Sequence, residues 1–503
     1  MQLEYTQMDN WPPLSWLAKG SVSQPSVKVF EIFHGSRVET HKEWFCEAIW
    51  AGDYEAGDFD RTDIIFGSGG RLRGESVTFV SAGATVDRLH ALQTQGQVWV
   101  SNSLACLLAA VDGTPDPSYP QYFEDFETIT RGIRDYKRTL ETSAGPVQLT
   151  YYNNLKWDGE RLTEEEKPNP VRDFSSFAKY REFLEASLRQ LSENMAAEGR
   201  NYPYKMLGTL STGYDSPTVV TLAQKVGLRE VISFTGSRSG EADSGEEIAE
   251  ILGVRLLLIP RDAWYSTELP EVPFIASDAK GEDVYFKGAE DKLMGRALLT
   301  GFHGDKMWDR DTKALTEDIV RGDQSGLSLT EYRLWTGFIH CPVPFMGVRQ
   351  IKAVNAINHS PEMLPWDVSS SYSRPICRRI VEEAGVPRDK FGSRKNVASV
   401  LFFEQKGFLS PGSLNDYMRW LQQKHIYTSK GRTQNSLRAL AGTATRALDA
   451  VAKVAPRRLR YMRSLAYRLA YFERRELFHH VFPWAIEHAK KRYLDVETAT
   501  RDR

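Results

Sequence analysis

No stretch of this 503-residue chain reaches the roughly 18 apolar residues that a membrane span requires. An excess of charge is lacking as well. The 64 Lys and Arg nearly cancel the 66 Asp and Glu, and a formal charge of −2 gives no electrostatic case for a nucleic-acid partner. Cysteine is scarce: Cys46, Cys106, Cys341 and Cys377 stand apart, without the spacing of a metal or redox site, and read as reduced thiols. The first ten residues, Met-Gln-Leu-Glu-Tyr-Thr-Gln-Met-Asp-Asn, have neither the basic flank nor the apolar core of a signal peptide. The expectation is a cytoplasmic protein. No internal repeat is evident.

What is present divides into three parts. The length exceeds what one core accommodates, and 41% hydrophobic with 26% charged residues is ordinary globular composition. Residues 1–168 read as a β-rich α+β domain. Val27–Phe33, Asp63–Phe66, Ser76–Val80 and Gln97–Ser101 are short strand-like runs, and Ser101–Val111 is a helix opened by an Asn/Ser cap. Gly67-Ser-Gly-Gly70 lacks a following helix and Lys-Ser/Thr, so it reads as a hairpin turn, not a phosphate loop. Thr163–Pro170 is polar and proline-bearing, the composition of a linker.

Residues 169–425 follow an α/β rhythm. Phe174–Glu198 carries Phe177, Tyr180, Phe183, Leu184, Leu188 and Leu191 at helical spacing. Strands are expected at Met206–Leu210, Val231–Thr235, Arg255–Ile259 and Ala297–Thr300, with helices at Pro217–Val226 and Ser244–Leu252. This alternation implies a doubly wound parallel sheet whose ligands sit at the carboxyl ends of its strands. Residues 426–503 form a basic helical extension. From residue 430 it holds 17 Lys and Arg against 7 Asp and Glu, and Arg457–Phe478 interleaves arginines with apolar residues. Two readings stand: a helical appendage packed on the preceding domain, or a surface for a membrane or partner.

Three stretches carry chemistry. Ser211-Thr-Gly-Tyr-Asp-Ser216 joins a buried strand to a helix start, where backbone N–H groups and the helix dipole favour an anion. The carboxylate of Asp215 inside that turn suits an anion arriving with a divalent cation, such as a nucleotide phosphate with Mg²⁺. Thr300-Gly-Phe-His-Gly-Asp305 ends a second strand, so that Asp305 faces Asp215 across the strand ends. Val386–Lys395 is a dense cationic loop, able to oppose charge developing on phosphate.

In this order the stretches resemble the asparagine synthetase and β-lactam synthetase family of ATP pyrophosphatases, over roughly residues 174–410. Ile232-Ser-Phe-Thr-Gly236, Asp243–Gly253, Val343-Pro-Phe-Met-Gly-Val-Arg349 and Arg374-Pro-Ile-Cys-Arg-Arg379 resemble further family segments. The resemblance implies an ATP- and Mg²⁺-dependent ligase that adenylates a small-molecule or peptide carboxylate, releases pyrophosphate and forms an amide. The amine comes from a separate donor or from the substrate itself, as in an intramolecular cyclase. The resemblance makes Asp215 and Asp305 the metal ligands, and Ser211, Gly213 and Ser216 the pyrophosphate cradle. Leu210, Thr235, Thr300 and Gly301 become adenosine contacts, and Lys395 the lysine that stabilises the adenylation transition state. Two positions depart from the pattern: Phe302 replaces a small or acidic residue, and Lys306 an acid. Residues 27–111 resemble the family's glutaminase domain, but Gln2 stands where that domain carries its nucleophilic cysteine. A degenerate domain without glutamine hydrolysis is expected. The other reading is a nucleotide-binding scaffold that retains the fold without turnover.

Overall fold

The computed structural model describes residues 1–21, 29–235, 244–368, 372–392, 399–402, 408–426 and 476–493. The first half contributes β1 (Gln2–Gln7), β2 (Trp16–Ser21), β3 (Val29–His34), β4 (Glu39–His41), β5 (Trp44–Trp50), β6 (Ile65–Arg73), β7 (Ser76–Val80), β8 (Arg88–Thr94), β9 (Gln97–Ser101), β10 (Thr139–Leu140), β11 (Val147–Tyr151), β12 (Asn154–Trp157) and β13 (Leu162–Glu165). One sheet runs β1-β3-β2-β9-β8-β11-β10 and the other β13-β12-β7-β6-β5-β4. Side chains one residue apart on a strand face opposite sides, so each sheet offers one face to a shared core. Trp16, Phe30, Phe45, Phe79, Val98, Val100 and Trp157 fill it.

Gly67–Gly70 is not a turn. These residues lie within β6, buried and paired with β5 from Trp44↔Arg71 to Trp50↔Ile65. A Cβ at Gly69 would stand 2.2 Å from the carbonyl oxygen of Phe45, and one at Gly70 would stand 2.5 Å from the Phe45 ring. The glycines admit close backbone and ring approach inside the sheet, which sequence alone cannot distinguish from turn chemistry. The expected linker is also corrected at its start: Leu162–Glu165 is β13, paired with β12. Lys167 is buried there, donating to the Ser81 carbonyl at 2.9 Å and Asn154 Oδ1 at 2.8 Å.

The second half is built on β14 (Lys205–Thr209), β15 (Glu230–Thr235), β16 (Arg255–Pro260), β17 (Arg296–Thr300) and β18 (Ile339–Pro342). All pairings are parallel, in the order β16-β15-β14-β17-β18. The chain steps outward from β14 and then returns to start β17 on its other side. The loops leaving β14 and β17 therefore diverge and open a crevice at their carboxyl ends. Four of the strands and the Phe177–Met195 helix were expected. The latter is capped by Ser176 and buries Tyr180, Leu184, Leu188 and Leu191. β18 was not expected.

The two halves share hydrophobic cores. Ile49 and Phe66, on the same face of the second N-terminal sheet as Phe45, pack with Tyr180, Leu334 and Ile339. A second shared core joins Leu17 and the Leu104–Ala110 helix to Phe274, Ile275 and the Val481–Lys490 helix. The basic amphipathic run expected at Arg457–Phe478 lies almost wholly outside the described residues. Among the described residues no helix is long and apolar enough to cross a membrane.

Candidate active site

The loop after β14 is closed by its own side chains. Ser211 N–H donates to Ser216 Oγ at 2.9 Å, the two hydroxyls are 2.9 Å apart, and Gly213 N–H donates to Ser211 Oγ at 3.3 Å. It delivers the chain into the Asp215–Gln224 helix, whose N-cap, Tyr214, makes no side-chain capping bond. The positive end of that helix thus faces the crevice. From the far side Gly392 N–H donates to the Thr212 carbonyl at 2.8 Å. Gly392 has φ +68, and a Cβ there would lie 2.4 Å from the Tyr214 ring. Only glycine brings that strap so close.

The loop after β17 packs directly on Asp215. A Cβ at Gly301 would stand 2.5 Å from the Asp215 Cβ, and one at Gly304 would stand 2.5 Å from Asp215 Oδ1. Between them His303 holds φ +74 and stacks on Phe345 at 4.6 Å. Arg374, 2% exposed, forms an ion pair with Asp215 Oδ1. Burial works against its charge, and the neighbouring carboxylate more than offsets this, so its pKa is raised.

These loops bound a cleft of about 220 Å³. Leu210, Ser211, Gly213, Asp215, Ser216, Gly301 and Asp305 all line it. Phe234, Tyr285 and Phe286 form an aromatic wall, with Phe234 4.7 Å from Tyr285 and 5.1 Å from Phe286. Not every sequence candidate belongs to this lining. Thr235 is exposed at the end of β15, and its neighbours Ser233 and Phe234 line the cleft instead. Thr300 is fully buried beneath it, its hydroxyl 3.0 Å from His340 Nε2. Lys395 lies outside the described residues.

Sequence reasoning gave no role to Arg374, Tyr372, Asp283, His303 or Asp323, which also line the cleft. Arg374 was visible only as the first residue of a segment that resembles one of the family's; its pairing with Asp215 spans 159 positions. Asp283 accepts from Ser328 Oγ at 2.7 Å and Gly326 N–H at 2.9 Å, and burial pushes its carboxyl up to about 7. His303 is buried with both ring nitrogens unpartnered, and desolvation followed by the charge of Arg321 lowers it to about 3.

Among the described residues no group of three or more His, Cys, Asp or Glu side chains has the makings of a metal site. Two carboxylates on facing loops suit a less demanding ion, a Mg²⁺ whose remaining ligands are phosphate and water. Arg374 takes Oδ1 of Asp215. The four cysteines are free and buried, and burial pushes the Cys46 thiol up to about 12. Comparison with protein-family models finds no match, and comparison with curated proteins finds none.

Proposed function

We propose that this chain is an ATP- and Mg²⁺-dependent ligase of the asparagine synthetase-like type, with a doubly wound ATP pyrophosphatase fold. It adenylates a carboxylate, releases pyrophosphate and forms an amide. The observation that carries the reading is the packing of Gly301 and Gly304 onto Asp215. It brings an anion-favouring helix start and the carboxylate-bearing turn of a second strand to one crevice. The strand order reverses at that point, where nucleotides bind in open α/β sheets.

In this reading Ser211, Gly213 and Ser216 hold the departing pyrophosphate, and Arg374 opposes negative charge on it. The wall of Phe234, Tyr285 and Phe286 accepts the adenine ring. Asp215 and Asp305 would hold the Mg²⁺, which supplies charge neutralisation on the phosphates when bound. Lys395 keeps the stabilising role that the resemblance gives it. Incubating the purified protein with Mg²⁺, ATP and a panel of carboxylic acids is expected to release pyrophosphate, and Asp215→Ala is expected to abolish release. Equal release from both proteins would sink the assignment.

The Arg374–Asp215 pair favours one competing reading, a nucleotide-binding protein without turnover, because the carboxylate is already neutralised. ATP binding with no pyrophosphate release from any acid in the panel would select it.

A further inference from the structure

Asp283 is the N-cap of the 3₁₀ helix Val284–Ala289, which carries Tyr285 and Phe286 to the cleft. Its carboxylate does not cap that helix. Oδ2 accepts from both Ser328 Oγ and Gly326 N–H, and Ser328 Oγ in turn accepts from the Asp283 N–H at 2.9 Å. Three bonds thus fix the carboxylate from one side. Oδ1 receives no hydrogen bond from the described residues and is not sealed in, unlike the ring nitrogens of His303. Asp283 is 2% exposed and lines the cleft, so Oδ1 is the oxygen that meets the cleft.

The charge of Asp283 limits what it can meet. Arg321 lies within electrostatic reach, but its terminal nitrogens donate to the carbonyls of Thr85 and Ser325, not to this carboxylate. Asp278 and Glu282 add negative charge around it. A polyphosphate is repelled here, so the part of a nucleotide at Asp283 is its uncharged base or ribose. Tyr285 and Phe286, next to it in the chain, offer the base a stacking surface. Oδ2 already accepts two hydrogen bonds, which leaves one oxygen for one donor. Guanine presents two adjacent N–H groups and ribose two adjacent hydroxyls, pairs that call for both oxygens of a carboxylate. The 6-amino group of adenine offers a single N–H to a partner at its edge, where guanine carries an acceptor.

We propose, resting on the ATP-dependent reading above, that Asp283 determines the specificity of the cleft for adenine. Its Oδ1 accepts from the 6-amino group of a base stacked on Tyr285 and Phe286. Asp283→Asn reverses this polarity. Gly326 N–H still requires an acceptor, so the amide oxygen turns to it and the NH₂ group faces the cleft. The group that meets the base then donates where it had accepted.

The test is calorimetric titration of the full chain with Mg²⁺ and one of three nucleotides, no carboxylic acid being present. These are ATP, dATP and purine riboside triphosphate, which lacks the 6-amino group. Burial holds the Asp283 carboxyl at about 7, so the titrations run at about pH 8.5, where it is ionised. Wild type is expected to bind ATP at least about tenfold tighter than purine riboside triphosphate, the worth of one charge-assisted hydrogen bond. Asp283→Asn, with a native near-ultraviolet circular dichroism spectrum, should bring that ratio to one or below and leave the ratio of ATP to dATP unchanged. Equal wild-type affinity for ATP and purine riboside triphosphate needs no variant and overturns the proposal. So does an unchanged ratio in Asp283→Asn, or a change confined to dATP, which puts the carboxylate at the ribose. Failure of ATP itself to bind wild type would instead overturn the nucleotide reading, and the assignment of Asp283 with it.

Discussion

Asp215 has two glycines of the β17 loop packed against it, so the site's tolerance for added atoms is a matter of tenths of an ångström. A methyl group at Gly304 would meet Asp215 Oδ1 at 2.5 Å, and either the carboxylate or the β17 loop must shift. Overpacking of this kind costs about 1–3 kcal/mol of stability. Displacement of a positioning group by about 1 Å can cost on the order of a hundredfold in rate. Gly304→Ala is therefore expected to lose far more pyrophosphate release than stability, and comparing initial rates with urea melts separates the two. Asp283 gives a second residue-level expectation. Its carboxyl sits at about 7, against an ordinary 3.8, chiefly through burial. Between those values the native state keeps a proton that the unfolded chain has lost, so stability falls as pH rises across the window. The full loss is about 4 kcal/mol. Roughly 2.5 kcal/mol of it falls between pH 5 and 8. Asp283→Asn keeps an oxygen for Ser328 and Gly326 but cannot ionise. Urea melts at the two pH values should show that this variant lacks that part of the slope. Glycines and acids at strand ends were legible in the sequence because they punctuate a pattern. Arg374, Asp283 and His303 were not, because their significance lies in contacts with distant segments and in burial.

At the scale of elements, legibility followed length and periodicity. The Phe177–Met195 helix shows several turns of an apolar stripe, and β14 through β17 are apolar runs bounded by loop residues. β18 spans only Ile339–Pro342, too short for any period to appear, yet it completes the sheet beside β17. β6 was misread for the opposite reason: its glycines are a strong local signal whose meaning is set by a neighbour. The carbonyl of Phe45 and the Cα of Ala48 approach β6 so closely that side chains at Gly69 and Gly67 are excluded. Gly69→Ala is expected to cost about 1–3 kcal/mol in urea unfolding. A value within a few tenths of zero would mean that the pairing of β5 with β6 relaxes readily. The same change at Gly74, with open space around it and φ +60, would report backbone strain alone.

For the whole molecule, the informative feature is how the Val481–Lys490 helix is held. Val481–Lys490 is packed, as the first of the two readings of the tail has it: Val481, Phe482, Trp484, Ala485, Ile486 and Ala489 are buried against the Leu104–Ala110 and Val272–Asp278 helices. Just beyond it, the Tyr493 hydroxyl donates to buried Glu331 at 2.6 Å. The other oxygen of that carboxylate accepts from Ser103, the cap of the Leu104–Ala110 helix. One carboxylate thus ties an N-terminal helix, the middle of the chain and the turn that follows the Val481–Lys490 helix. The tail's positive charge drew attention to solvent and partners, whereas this stretch has a composition that could belong to any buried helix; only packing reveals which surface it covers. Trp484 is fully buried and its indole donates to Asp416 Oδ1 at 2.9 Å. Replacing it with alanine removes one of the largest core side chains and one of the contacts of that carboxylate, which keeps His488 Nε2 at 2.6 Å, at a cost of about 3–5 kcal/mol. If the helix is part of the common core, this destabilisation should appear in the main unfolding transition, followed by near-ultraviolet circular dichroism of the whole chain. A separate low-stability transition, with the main one unmoved, would instead identify the C-terminal helix as an independently melting unit.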